Sequence, residues 1–172
     1  MEAPIISGVA HDRSQAKVTI VGVKDVPGSA SRIFSLVADT GANIDMIVQN
    51  IDTGDSGTTD ISFTLPESDG QAAVSVLEQN RDELGIDEIR YNDGIGKLSL
   101  VGAGMRTNPG VSAELFRSLS EAGINIQMIS TSEIRISVVT ALEDLDAAVR
   151  AVHTAFDLDS EAEAVVYGGT GR

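Results

Sequence analysis

The residues with the clearest chemical potential are Asp25, two positions before a Pro27-Gly28 pair, and Asn43-Ile44, which follow the next helical pattern. Glycine at the entry to a helix lets a ligand approach the backbone, and the free N–H groups of a first helical turn attract a carboxylate. Asp25 could hold the ammonium of an amino acid whose carboxylate rests on those amides. It could equally cap the helix, a common place for Asp. The strand that begins at Asn43 is expected to return beside this turn and to add backbone donors and acceptors. The plan recurs further along. Pro109-Gly110 and Asn125-Ile126 repeat the same spacing, with Gly41 and Gly123 at matching places before the Asn-Ile pairs. The copies differ where it matters chemically: Asp25 is matched by Thr107, which has no carboxylate for an ammonium group.

Other chemistries find less support. "VGAGMRTNPG" follows a strand pattern and opens a helix, as a dinucleotide-binding loop does, but Thr107 stands where the third glycine of that motif belongs. His11 and His153 have no Ser-His-Asp or paired-carboxylate spacing around them and read as surface or packing residues. There are no cysteines, so disulfides and thiolate metal sites are excluded. The formal net charge of −14, without a run of Lys or Arg, disfavours nucleic acid. With two Tyr and no Trp, stacking platforms for single strands are missing too. No stretch approaches the roughly 18 apolar residues of a membrane span, so neither nucleic acid nor membrane is expected as a partner. The N-terminus lacks a basic leader region, and a cytoplasmic location is the expectation.

The elements that must position these residues can be read from periodicity. "KVTIVGV" (17–23) reads as a strand ending in a turn. Ala30, Ile33, Phe34, Val37 and Ala38 make one apolar helical face, closed by Gly41. Ile44, Met46 and Val48 share one side of the next strand, and Ile61, Phe63 and Leu65 alternate in another after the Gly-rich hairpin "DTGDSGTT". A weaker helix over 71–79 and the strand "IDEIRYN" close the unit. The second unit repeats this order: "KLSLVGA", a helix with Leu115, Phe116 and Leu119, "INIQMIS", "EIRISVV", a helix with Leu145, Ala148, Val149, Val152 and Phe156 on one face, and "AEAVVY". The order β-α-β-β-α-β, twice, predicts an α+β fold of two ferredoxin-like units in tandem, antiparallel sheets with helices on one face. Residues 1–14, with the strand pattern "IISGVA", precede the first unit (15–94) and the second (95–172). At 172 residues, 42% hydrophobic but only 3% aromatic, each half has a small aliphatic core and gains from packing on the other half or on a second chain.

Together, "VQNI", "GTTDISFT", "KLSLVGAGM", "STSEIRISVV", "DLDAAVRAVHTAF" and "AVVYGGTGR" resemble the tandem ACT region of bacterial aspartate kinase, ACT being a small regulatory module that binds amino acids. The resemblance implies a regulatory role in feedback inhibition of the pathway from aspartate to lysine, threonine and methionine. It implies no cofactor, threonine and/or lysine as effector, and side-by-side pairing of ACT units, often between two chains, with the effector where unit one meets unit two. The implied effector contacts are Asp25, Gly28, Ala30, Asn43, Ile44 and Gln49, completed by Asn125 and Ile126 of the partner unit. Thr59 and Ser62 fall where the family tunes feedback sensitivity, and Thr131, Ser132 and Glu133 match them in unit two. In this family the regulatory region also occurs as a separate β subunit beside a catalytic α subunit in an α2β2 assembly. The chain is similar to such a subunit or to an excised fragment, and is expected to form a homodimer. The family's N-terminal Lys-Phe-Gly-Gly site has no counterpart, so no phosphoryl transfer is expected of the chain itself. The resemblance further suggests one unit inserted in the other, with "IISGVA" added to the second unit's sheet. A stand-alone ACT-type sensor of a different enzyme is the other reading.

Overall fold

The computed structural model describes residues 5–50, 56–104, 108–158 and 167–168. The chain divides into two compact units, Ser14–Asp93 and Met1–Arg13 with Gly94–Arg172. The strand β1 (Ile5–Asp12) belongs to the latter. The first unit runs β2 (Gln15–Lys24), α1 (Ser29–Asp39), β3 (Ile47–Asn50), β4 (Thr58–Pro66), α2 (Glu67–Gln79), the single turn α3 (Arg81–Leu84) and β5 (Glu88–Asn92). Its sheet has the order β3-β4-β2-β5, with every neighbouring pair antiparallel. This is the ferredoxin-like arrangement.

Period-two alternation on the strands and 3.6-residue periodicity on the helices decide the packing. Val18 and Ile20 of β2 and Ile61, Phe63 and Leu65 of β4 point to one face, where Ile33 and Val37 of α1 and Ala73 and Leu77 of α2 cover them. Phe34 adds an edge-to-face contact with Phe63 at 5.5 Å between ring centres. Ala30 and Ala38 of the expected apolar face are exposed; the buried stripe of α1 is narrower than its pattern suggests. The helix ends at Thr40, and Gly41 takes the left-handed conformation (φ 83°) expected of it.

The second unit continues with β6 (Ile95–Ala103), α4 (Pro109–Glu121), β7 (Met128–Thr131), β8 (Arg135–Ala141), α5 (Leu145–Ala155) and β9 (Tyr167–Gly168). Val9, Leu98, Leu100, Ile136 and Val138 form its sheet face under Val111, Leu115, Leu119, Leu145, Ala148 and Val152. The sheet order is β7-β8-β6-β1-β9. Strand β1 pairs antiparallel with β6, from Ile5↔Ala103 to Asp12↔Lys97, and so takes the place beside the central strand that β5 takes in the first unit. Strand β9 lies outside β1 and runs parallel to it, through Ala10↔Tyr167 and His11↔Gly168, so this sheet is not wholly antiparallel. The rest of the expected "AEAVVY" strand, and residues 52–55 of the Gly-rich hairpin, lie outside the described residues.

One close approach sets the fit of α5 on this sheet. A Cβ at Gly96 of β6 would stand 2.9 Å from Cβ of the fully buried Leu145. Gly110, at the start of α4, faces open space. Gly96→Ala is therefore expected to destabilise the fold by about 1–3 kcal/mol, as overpacking of a core does. Gly110→Ala should be neutral or stabilising by up to about 1 kcal/mol. Urea unfolding of the two variants checks the contrast.

Candidate functional site

The turn after β2 is built from backbone. The Asp25 N–H donates to the Gly57 carbonyl at 2.9 Å and the Val26 N–H to the Lys24 carbonyl at 2.9 Å, which ties the turn to the start of β4. Gly28 is the N-cap of α1 with φ 95° and ψ −16°, a left-handed conformation that L side chains rarely adopt. A Cβ there would meet nothing within 4 Å, so conformation and not crowding accounts for the glycine. No side chain caps α1. Asp25 is exposed, and its carboxylate has no partner among the described residues. The helix-cap reading of Asp25 is therefore not what the structure has. The amides of Gly28, Ala30 and Ser31 have no backbone acceptor, and no acidic residue occupies the first turn of α1. A free carboxylate thus precedes free donors by three residues of chain, and the two carry the groups that a zwitterion needs.

The corresponding turn of the second unit differs in more than one residue. There α4 begins at Pro109, its N-cap Asn108 is extended (φ −127°, ψ 84°), and the Asn108 side-chain amide donates to the Gly104 carbonyl at 2.8 Å. Thr107 itself lies outside the described residues.

Strand register corrects one expectation. The strand expected from Asn43 begins only at Ile47, and Asn43, in the loop before it, does not return beside the Pro-Gly turn of its own unit. Asn50, at the strand's end, pairs with Asp60, two residues from the Lys24↔Thr58 pair that precedes the turn. At the other end, Asp45 N–H donates to the Thr64 carbonyl, and Thr64 pairs with Lys17. Thr58 and Thr64 are separated by about 20 Å of extended strand. The physical reason is topological: β2 and β3 flank β4, both antiparallel to it, and so run parallel to each other. Asp25, Gly28, Ala30 and Gln49 gather at one end of the sheet. Asn43 and Ile44 stand at the other. In the second unit, Asn125 and Ile126 likewise precede Gln127, whose N–H donates to the Val139 carbonyl opposite Lys97 at the start of β6.

The remaining sites are structural ties. The Thr59 hydroxyl donates to the Asn50 carbonyl and fixes the end of β3 that carries the exposed Gln49. The hydroxyls of Ser62 and Thr19 hydrogen-bond across β4 and β2 at 2.9 Å, and Ser137 and Ser99 repeat the pair at 2.7 Å in the second unit. Thr131 ends β7 opposite Ile136, Ser132 N–H donates to the Arg135 carbonyl at 2.7 Å, and Glu133 is exposed in the hairpin between them. Sequence reasoning missed Asp69, whose Oδ2 accepts the Asn43 N–H at 3.3 Å across 26 residues of chain. Its position early in α2 reads from sequence only as a favourable charge at a helix start. It also missed a cleft of about 390 Å3 at the Pro-Gly turn itself, lined by Val23, Val26, Pro27, Gly28, Ile33 and Leu84 and bordered by the Arg32–Glu83 ion pair. Neither Asp25 nor Ala30 lines it.

Two ferredoxin-like units in one chain define a tandem ACT protein, and the ACT domain model matches residues 18–80 and 98–156. Aspartokinase of Mycobacterium tuberculosis is 54% identical over all 172 residues, which are 41% of that relative's length. A chain in a crystal structure of aspartokinase alpha and beta subunits is 44% identical with a TM-score of 0.82, covering 88% of this chain and 99% of its own. The ligand-free regulatory subunit of aspartate kinase from Thermus thermophilus is 38% identical with a TM-score of 0.83 over the same shares. The chain belongs to the aspartokinase family, as its regulatory, tandem-ACT part. It spans about two fifths of the full-length aspartokinases it matches.

Because Asp25 caps nothing and is exposed, Asp25→Ala should leave stability within about 0.5 kcal/mol of the parent. Thr59→Val, which removes the bond to Asn50, should cost about 0.5–1.5 kcal/mol. Thermal unfolding of the two variants separates a binding carboxylate from a structural hydroxyl.

Proposed function

We propose that the chain senses end-product amino acids for aspartokinase: it binds threonine and/or lysine at interfaces between ACT units of paired chains and transmits feedback inhibition to a catalytic subunit. The observation that carries the reading is the free Asp25 carboxylate ahead of the open amides of Gly28 and Ala30, in a chain that belongs to this family. Asp25 receives the effector ammonium, and backbone N–H groups receive its carboxylate.

A second chain supplies the missing half of the pocket. Edge strands β3 and β7 each hold four residues, and each exposes an isoleucine at matching places of the repeat, Ile47 at 52% and Ile129 at 45%. Antiparallel pairing of β3 with β7 of a partner covers both side chains and closes these two edges. It also brings the strand start of one unit, with Asn125 and Ile126, to the turn end of the other, with Asp25 and Gln49. Effector that touches both chains adds its binding energy to their association, and favours the state in which the catalytic partner is held inactive. Thr59 and Ser62 tune sensitivity by holding β4 against the edge strand and the central strand. Thr131, Ser132 and Glu133 shape the hairpin at the end of β7.

Calorimetric titration with threonine, lysine and methionine in turn tests this. Threonine or lysine should bind, and Asp25→Ala should weaken binding by at least ~1.5 kcal/mol, the scale for losing a hydrogen bond to a charged group. Sedimentation should show a dimer tightened by the same ligand. Binding of neither amino acid contradicts the proposal. The chain incubated with ATP, magnesium and aspartate is expected to form no aspartyl phosphate; turnover that follows this chain through purification would overturn a purely regulatory role.

A further inference from the structure

The strand that leads into each first helix carries the same Val-Gly step, Val21-Gly22 in β2 and Val101-Gly102 in β6, but the two strands leave their sheets differently. In the second unit the pairing of β6 with β8 runs without a shift from Ile95↔Ala141 to Val101↔Arg135, and the Gly102 N–H carries it on to the Ile134 carbonyl at 2.9 Å. In the first unit the pairing of β2 with β4 shifts between Ile20↔Ile61 and Val23↔Thr59. Val21 and Gly22 together stand opposite the single residue Asp60, which is a β-bulge of one extra residue. Gly22 takes the left-handed φ of 79° there, and a Cβ on it would run into the Asp87 carboxylate.

The bulge takes the Gly22 N–H out of the ladder, and Gly22 is buried, so its amide needs another acceptor. Asp60 Oδ1 supplies it at 3.1 Å. The hydroxyl pairs Thr19–Ser62 and Ser99–Ser137 put Arg135 at the place of Asp60 in the second unit, and a guanidinium has no acceptor to offer.

The extra residue also changes which way the following side chains point. Side chains alternate between faces along a strand, so one inserted residue sends all later ones to the opposite face. Ile20 and Val23, three residues apart, both lie in the core under α1 and α2. The ladder then continues through Lys24↔Thr58 and the bond from the Asp25 N–H to the Gly57 carbonyl. Asp25, two residues beyond Val23, is thereby set on the helix side of the sheet. Without the bulge it would fall on the opposite face.

We propose that Asp60 is the positioning residue of the effector site: by accepting the Gly22 N–H it holds the extra residue in β2, and so sets the Asp25 carboxylate on the face where α1 begins. The proposal rests on the effector reading above and adds to it a residue that acts through Asp25. It also gives the two units a second difference besides Asp25 and Thr107, since the pairing of β6 with β8 has neither the extra residue nor a side chain to hold one.

Amide NMR and calorimetry on the full chain test the two layers separately. Without effector, the Gly22 amide should exchange with solvent roughly fivefold faster in Asp60→Val, which suits a strand but has no acceptor, than in the parent. Asp60→Asn loses the charge but keeps an acceptor oxygen, and should exchange as the parent does. With threonine or lysine, whichever binds, Asp60→Val should weaken binding roughly tenfold, as the loss of Asp25 does, while Asp60→Asn stays within about twofold of the parent. Adding Asp25→Ala to Asp60→Val should cost little more, because a residue that acts through another gives no independent loss. If Asp60→Val does not fold, Asp60→Ala carries the same comparisons. Equal Gly22 exchange in the parent and Asp60→Val, or losses at Asp60 and Asp25 that simply add, would overturn the positioning role and leave the effector reading intact. If the parent binds neither amino acid, the effector reading fails and the positioning role fails with it.

Discussion

The parallel relation of β2 and β3 governs everything else in the candidate site. A chain that crosses from β2 through α1 to β3 must begin β3 at the end of the sheet where β2 began. The Pro-Gly turn after β2 and the Asn-Ile pair before β3 are therefore held about 20 Å apart by the length of the intervening strand. No side-chain rearrangement within one unit closes that gap. The antiparallel pairing proposed above, with a second chain, would close it, because it reverses one sheet edge against the other. If effector spans the two ends as proposed, its binding is linked to assembly by that topology.

The edges of the sheets are made unlike in a way that favours one mode of pairing. Edge strand β5 exposes Glu88 and Arg90, which pair at 3.1 Å; that hydrogen bond, with the guanidinium charge, holds the Glu88 carboxyl below its ordinary range. Charged side chains of this kind discourage a further strand. In the second unit β1 covers the flank of β6, and β9 follows it. The β3 and β7 edges carry Ile47 and Ile129 instead. The internal hydroxyl pairs, Thr19 with Ser62 and Ser99 with Ser137, fix the central strands behind those edges.

Much of this was legible in the sequence. Period-two and period-3.6 patterns placed both units' strands and helices, and the matched Pro-Gly and Asn-Ile pairs exposed the repeat. The family resemblance, and not the strand's own pattern, suggested that β1 joins the second unit, because a single strand's alternation does not say which sheet it joins; its place beside β6 came only with the structure. The relation of Asn43 to the turn was misread, since adjacency along a repeat is not adjacency in space once a crossover intervenes. The conformations of the two turns also diverge behind a shared Pro-Gly: Gly28 caps α1 in the left-handed region, whereas α4 begins two residues earlier in the repeat, at Pro109. Asp69 was invisible because its contact with Asn43 is a tertiary hydrogen bond with no local signature.

The central claim, that the β3 edge of one chain meets the β7 edge of another, is open to a direct covalent test because the chain has no cysteine of its own. Ile47→Cys and Ile129→Cys introduced together should give, on mild oxidation with threonine present, a covalent dimer on a non-reducing gel. Each substitution alone should leave the chain monomeric on the same gel. A double variant that stays monomeric, or an Ile47→Cys chain that cross-links to itself as readily as the double variant does, would contradict the account.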